Sequence, residues 1–266
     1  MFNRFLRQSG QHFVRAGAAA LACVLAVACT PSPSPGAHTH ADARFAGWTG
    51  AVVSADWTDS VRRPIDAFDN ARRDLTSAFI AAGFDQATFV NYSLRPDVRQ
   101  PTTPQQALNG IAQTARRGTA GCFLYFTSHG SPRGIVFGPG GLMAPSQMAS
   151  LVDQWCGTRP TVVVVSACYS GVFVPALAAP NRMVVTAARP DRNSFGCSQE
   201  ATYPYFDGCM LEGLRTARNF VELAEGARTC VSRREREERL SPPSEPQISI
   251  GSEIAAILPG LTFRGR

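Results

Sequence analysis

Two apolar runs, each cut short by a reactive side chain, constrain this chain more than any other feature. Phe123-Leu124-Tyr125-Phe126 leads into Thr127-Ser128-His129-Gly130, and Val162-Val163-Val164-Val165 leads into Ser166-Ala167-Cys168-Tyr169-Ser170-Gly171. Short runs of β-branched and aromatic residues, without polar alternation, read as strands buried on both faces of a parallel sheet. In an open α/β sheet, ligands sit beyond the carboxyl ends of the strands. His129 and Cys168 are therefore expected at one edge.

The rest of the pattern agrees. Strands are expected at 50–55, 87–92, 134–137 and 183–187, with an edge strand at 247–250. Helices are expected at 67–82, 104–115, 145–154, 210–217 and 220–238. The first carries Phe68, Ala71, Leu75, Ala78, Phe79 and Ala82 on one stripe, and Gly83 follows as its cap. Prolines 96, 101 and 104 make 93–104 a loop. Alternation of strand and helix means βαβ units and a parallel sheet covered on both faces.

The N-terminus reads differently. Arg4, Arg7 and Arg15 precede a small, apolar stretch from Ala16 to Ala28. That stretch is shorter than the roughly 20 apolar residues a membrane span needs, so 1–28 reads as a secretory signal. It closes on Ala28-Cys29-Thr30, which resembles a bacterial lipoprotein boundary, with Cys29 as the lipidated residue of an exported, periplasmic protein anchored to the outer membrane. Residues 29–44, rich in Pro, Ser, His and Ala, cannot bury a core and read as a tether. Residues 45–266 then form one domain. Without the signal's three arginines the formal charge falls from +6 to +3. The scattered arginine pairs lack interleaved aromatics, so no nucleic-acid partner is expected.

Of four histidines, His12 lies in the signal and His38 and His40 in the tether, which leaves His129 alone in the folded part. No Cys/His cluster has zinc-ligand spacing. An exported chain meets oxidising conditions, so some cysteines should pair. Cys122 opens the His129 strand and Cys156 ends the helix before the Cys168 strand, which makes Cys122–Cys156 the first choice. Cys209–Cys230 is the second and leaves Cys197 over, although the spacing leaves the connectivity open.

A thiolate attacks, a nearby imidazole takes and returns the proton, and the oxyanion needs donors aimed at it. Cys168 fits the nucleophile and His129 the base. The backbone N–H groups of Gly130 and Cys168 fit the oxyanion hole. Gly171 is expected to let the chain turn sharply after the nucleophile.

The blocks Tyr125 to Ser131, Gly134 to Phe137 and Val165 to Gly171, with Thr186 to Cys197 after them, resemble the legumain family of cysteine peptidases. The resemblance covers roughly residues 45–215. That family includes the catalytic subunit of the GPI transamidase; caspases and gingipains are more distant relatives. The resemblance implies an α/β caspase-like three-layer sandwich with a mostly parallel sheet, thiol endopeptidase chemistry on peptide or protein substrates after Asn or Asp, and no metal or other cofactor. It departs at the specificity pocket. Ser166 stands where legumains carry an acid two positions before the nucleophile, and their arginine-containing motif has no counterpart before the first long helix. Ser194 matches a pocket serine of the family, with Asp207 or Glu200 as the acid. Asn70 is a candidate to orient His129 or to cap its helix. Two other readings share these residues: a transamidase using the same dyad, and a non-catalytic binding module on the same scaffold.

Overall fold

A computed structural model describes residues 43–264. The signal, Cys29, His12, His38 and His40 lie outside the described residues. The expected tether boundary at 44 falls inside a 3-10 turn, Ala43–Phe45, where Phe45 is fully buried. Arg44 there donates from Nη1 to Thr262 Oγ1 at 2.7 Å.

The strands are β1 (Trp48–Ser54), β2 (Phe89–Ser93), β3 (Gly121–Thr127), β4 (Gly130–Ser131), β5 (Gly134–Val136), β6 (Leu142–Met143), β7 (Thr161–Ser166), β8 (Arg182–Thr186) and β9 (Gln247–Ile250). The helices are α1 (Ala67–Ala81), α2 (Pro104–Ala115), α3 (Pro145–Cys156), α4 (Val174–Leu177), α5 (Tyr205–Gly213), α6 (Phe220–Glu237) and α7 (Ser252–Ile257). The main sheet runs β2-β1-β3-β7-β8-β9, parallel throughout except for the antiparallel edge strand β9. A small antiparallel sheet of β4, β5 and β6 stands beside it.

The period-two geometry of a strand divides the central residues between two cores. Phe123 and Tyr125 of β3, with Val162 and Val164 of β7, face α1, α5 and α6. Leu124 and Phe126, with Val163 and Val165, face α2, α3 and α4. Both faces are apolar, hence the unbroken runs in the sequence. The first core is dominated by phenylalanines: the Phe123 ring lies 4.3 Å from Phe79 and 5.6 Å from Phe84 and Phe220. Each core holds one cystine. Cys122–Cys156 ties β3 to α3, and Cys209–Cys230 ties α5 to α6.

Local chemistry sets the helix starts. Thr103 and Gln106 form a reciprocal capping box ahead of Pro104, and Asn219 accepts from the Val221 and Glu222 N–H groups at 3.0 Å. One expected helix is displaced. It begins at Tyr205, not Met210, because Pro204 supplies the fixed φ that opens a helix. Among the described residues no helix is long and apolar enough to cross a membrane.

Candidate active site

Strand register brings the two reactive residues together. β3 and β7 are neighbours, and Thr127 pairs with Ser166 as the last residues of their strands. His129 and Cys168 each lie two positions further on. Ser128 extends the ladder, donating from its N–H to Ser166 O at 3.0 Å. The backbones then stay close: a Cβ built on Gly130 would lie 2.0 Å from the Cys168 carbonyl oxygen.

The His129 ring is held on two sides. The Phe68 ring meets it edge-on, with centroids 5.2 Å apart. Nε2 lies 2.8 Å from the Thr58 carbonyl oxygen. A carbonyl only accepts, so Nε2 carries the hydrogen and Nδ1 of the neutral ring keeps its lone pair. Thr58 belongs to the loop between β1 and α1. Asp56 Oδ1 accepts from Trp57 N at 2.7 Å, Thr58 N at 3.2 Å and Thr58 Oγ1 at 3.1 Å. Ile65 N donates back to Trp57 O at 2.9 Å, and Asp59 N to Arg63 O at 2.8 Å.

The half-buried Cys168 thiol is a free cysteine. Its Sγ accepts from Ser194 N–H at 3.2 Å and lies 3.6 Å from Ser194 Oγ. The turn beyond it differs from expectation. The left-handed residue is Tyr169, at φ 57°, and its N–H donates to Arg192 O at 2.7 Å. Gly171 is instead required by crowding, since a Cβ there would lie 2.5 Å from Pro190.

Two backbone donors beside the thiol are not taken up by the surrounding ladder. Val136 N donates to His129 O, so the alternation of an antiparallel ladder leaves Gly130 and Ile135 as a pair without hydrogen bonds. The Gly130 N–H is thus spared by the hairpin. Among the described residues no acceptor takes the Cys168 N–H.

A buried hydroxyl cluster lies behind the strand ends. Tyr125 OH and Thr127 Oγ1 each donate to Asp207 at 2.5 Å, and Ser166 adds a third bond. Burial pushes the Asp207 carboxyl up to about 6 against the pull of those three bonds. Burial, then the Asp207 charge, pushes the Tyr125 phenol well above its ordinary range. Cys197 packs with Ile65, Ala67 and Phe68 on the histidine side. Burial first, then Cys168, Asp207 and Asp56, pushes its thiol well up.

Two expected residues are placed elsewhere. Glu200 is exposed on the outer loop. Asn70 neither orients His129 nor caps α1. Its Nδ2 donates to Thr202 O at 3.2 Å and its Oδ1 accepts from Arg73, because the inward stripe of α1 runs through Phe68, Ala71 and Leu75. Thr58 and Asp56 are the residues that sequence reasoning missed. The one available signal was Asp56-Trp57-Thr58, an acid placed to accept from the next two N–H groups. Among the described residues no group of three or more His, Cys, Asp or Glu is placed to hold a metal ion.

Residues 114–212 match the model of the Peptidase C13 family, a span that includes His129, Cys168, Ser194 and Asp207. No curated protein sequence matches the chain. Among solved structures, the crystal structure of caspase-1 from Spodoptera frugiperda superposes with a TM-score of 0.56 at 13% identity. The match covers 80% of this chain and 87% of that one. The fold is thus caspase-like. With the family match, this bears out the resemblance to legumain-type cysteine peptidases and supports cysteine peptidase activity.

Proposed function

We propose that this protein is a cysteine endopeptidase in which Cys168 is the nucleophile and His129 the general base and acid. The observation that carries the reading is the Nε2–H bond to Thr58 O, which leaves Nδ1 free on the imidazole beside the thiol turn. Nδ1 takes the thiol proton, and Sγ attacks the scissile carbonyl carbon. The N–H groups of Gly130 and Cys168 receive the oxyanion. The imidazolium returns its proton to the leaving amine as the C–N bond breaks, which leaves a thioester. Water, deprotonated by Nδ1, then attacks the thioester, and the thiolate departs.

For the P1 side chain we assign Ser166 and Ser194, with Asp207 acting behind Ser166, and cleavage after Asn or Asp. Ser194 supports this by bordering the sulfur through both N–H and Oγ. Asp207 is wholly buried and engaged, so it reaches a ligand only through the Ser166 hydroxyl. The test is mass-spectrometric labelling with electrophilic peptides that vary at P1. Labelling at Cys168, with Asn or Asp preferred, is the expected result. Hydrolysis that survives in Cys168→Ala rejects the nucleophile.

We also propose that residues 1–28 direct export, that Cys29 carries lipid at the outer membrane, and that 29–44 tether the domain. Support comes from the Ala28-Cys29 boundary and the Pro/Ser composition after it. Globomycin should raise the mature mass, and Cys29→Ser should release the protein to the soluble fraction. Unchanged mass and location would refute the anchor.

A further inference from the structure

We propose that Asp56 is the positioning residue of the site, holding His129 in its base-competent tautomer through the Thr58 carbonyl. The proposal rests on the reading of Cys168 and His129 as the catalytic pair. Among the described residues the imidazole meets one acceptor, the Thr58 carbonyl oxygen, so what fixes that carbonyl fixes the tautomer. The peptide that carries this carbonyl is held on its far side by Asp59 N–H, which donates to Arg63 O at 2.8 Å, and by the bridge between Thr58 and Pro64. Oδ1 of Asp56 supplies the constraint on the near side, receiving both N–H groups that follow and the Thr58 hydroxyl. The two peptide planes before the carbonyl and χ1 of Thr58 are thereby set by one oxygen.

The other carboxylate oxygen shows what this arrangement costs. Asp56 is 3% exposed, and its Oδ2 is buried with no hydrogen-bond partner among the described residues. Unpaired buried carboxylate oxygens are unfavourable, so one that stays buried calls for a reason besides stability. An Asp that merely shaped the turn could turn Oδ2 to solvent. Here it stays inside, in the loop that carries the histidine's acceptor. After burial, Cys168 and Asp207, the Asp56 charge also pushes the Cys197 thiol up.

Geometry and charge are separable by substitution. Asp56→Asn keeps an oxygen at the Oδ1 position and discards the charge. Asp56→Glu keeps the charge and moves both oxygens one methylene away. Asp56→Ala removes everything. A displacement of about 1 Å in a catalytic group costs on the order of 100-fold in rate. We therefore expect the Ala and Glu variants to lose about 10- to 100-fold in kcat with KM within about twofold. The Asn variant should stay within about threefold of wild type in kcat. ¹⁵N spectra of the histidine ring supply a readout that a purely structural role would leave alone. The wild-type and Asn proteins should show the Nε2–H tautomer of His129, and the Glu variant a mixture.

Should Asp56→Ala fail to fold, the Asn and Glu pair decides. Wild-type kcat in Glu with a large loss in Asn would overturn positioning in favour of charge. Full kcat and an unchanged tautomer in both Ala and Glu would overturn the proposal outright. Failure of the catalytic reading itself is separately visible, because His129→Ala would then also leave turnover intact.

Discussion

Asp207→Asn should abolish a stability term that runs opposite to ordinary acid denaturation. The carboxyl is fully buried and titrates near 6 in the folded protein, against an ordinary value of 3.8. Below pH 3.8 it is protonated in both states. Between the two values the unfolded chain ionises first, and the folded state falls behind. Above about 6 both states are ionised, and the folded state carries the whole penalty, about 3 kcal/mol at 1.36 kcal/mol per unit. The sign is thus stability gained as pH falls, the reverse of salt-bridged carboxylates such as Asp97, held down first by Arg95. Asparagine keeps the shape and cannot ionise. One of the Tyr125 or Thr127 hydroxyls must then turn to accept from the amide, a cost independent of pH. Urea unfolding with the cystines intact, run on both proteins, cancels every carboxylate they share. The variant should gain about 2 kcal/mol on wild type between about pH 4.5 and about pH 7.5. A difference that stays flat across that range would show that Asp207 titrates normally, and would refute the buried cluster.

Other outcomes test the site directly. His129→Ala should cost about 10²- to 10⁴-fold in turnover while Cys168 stays open to slow alkylation, followed by mass spectrometry. Gly130→Ala should abolish most activity and destabilise by about 1–3 kcal/mol, because the new Cβ meets backbone 2.0 Å away and not a side chain that can yield; melting and turnover check both. Iodoacetamide near neutral pH should label Cys168 and spare Cys197, whose thiol burial and neighbouring charge hold protonated; peptide mapping that finds both equally labelled would contradict that environment.

How far the sequence reached follows from the range of each interaction. The β3 and β7 runs were legible because both faces of those strands are buried, and a strand with no wet side has no polar residues to interrupt it. Their ends were legible for the complementary reason: the chain turns polar where the sheet stops. Element ends made Cys122 and Cys156 the first choice of pair without fixing the connectivity, and the structure forms it, since a residue opening β3 and one closing α3 both lie at the sheet edge away from His129. The turn after Cys168 was misplaced because glycine is the usual left-handed residue, and here Tyr169 takes that conformation while Gly171 yields space to Pro190.

The group that holds His129 was invisible in kind. Thr58 and His129 stand 71 residues apart, and their bond uses a main-chain carbonyl, which every residue possesses. No side-chain pattern can announce such a partner. What a sequence can carry is the side chain that fixes the carbonyl, and Asp56 is that trace, three residues upstream of Asp59 and two of Thr58 in a loop with no periodicity to mark it. The sheet edge supplies the thiol and the imidazole by register. The orientation of the imidazole comes from the loop after β1, so the chemistry depends on two parts of the chain that only the closed sheet brings together.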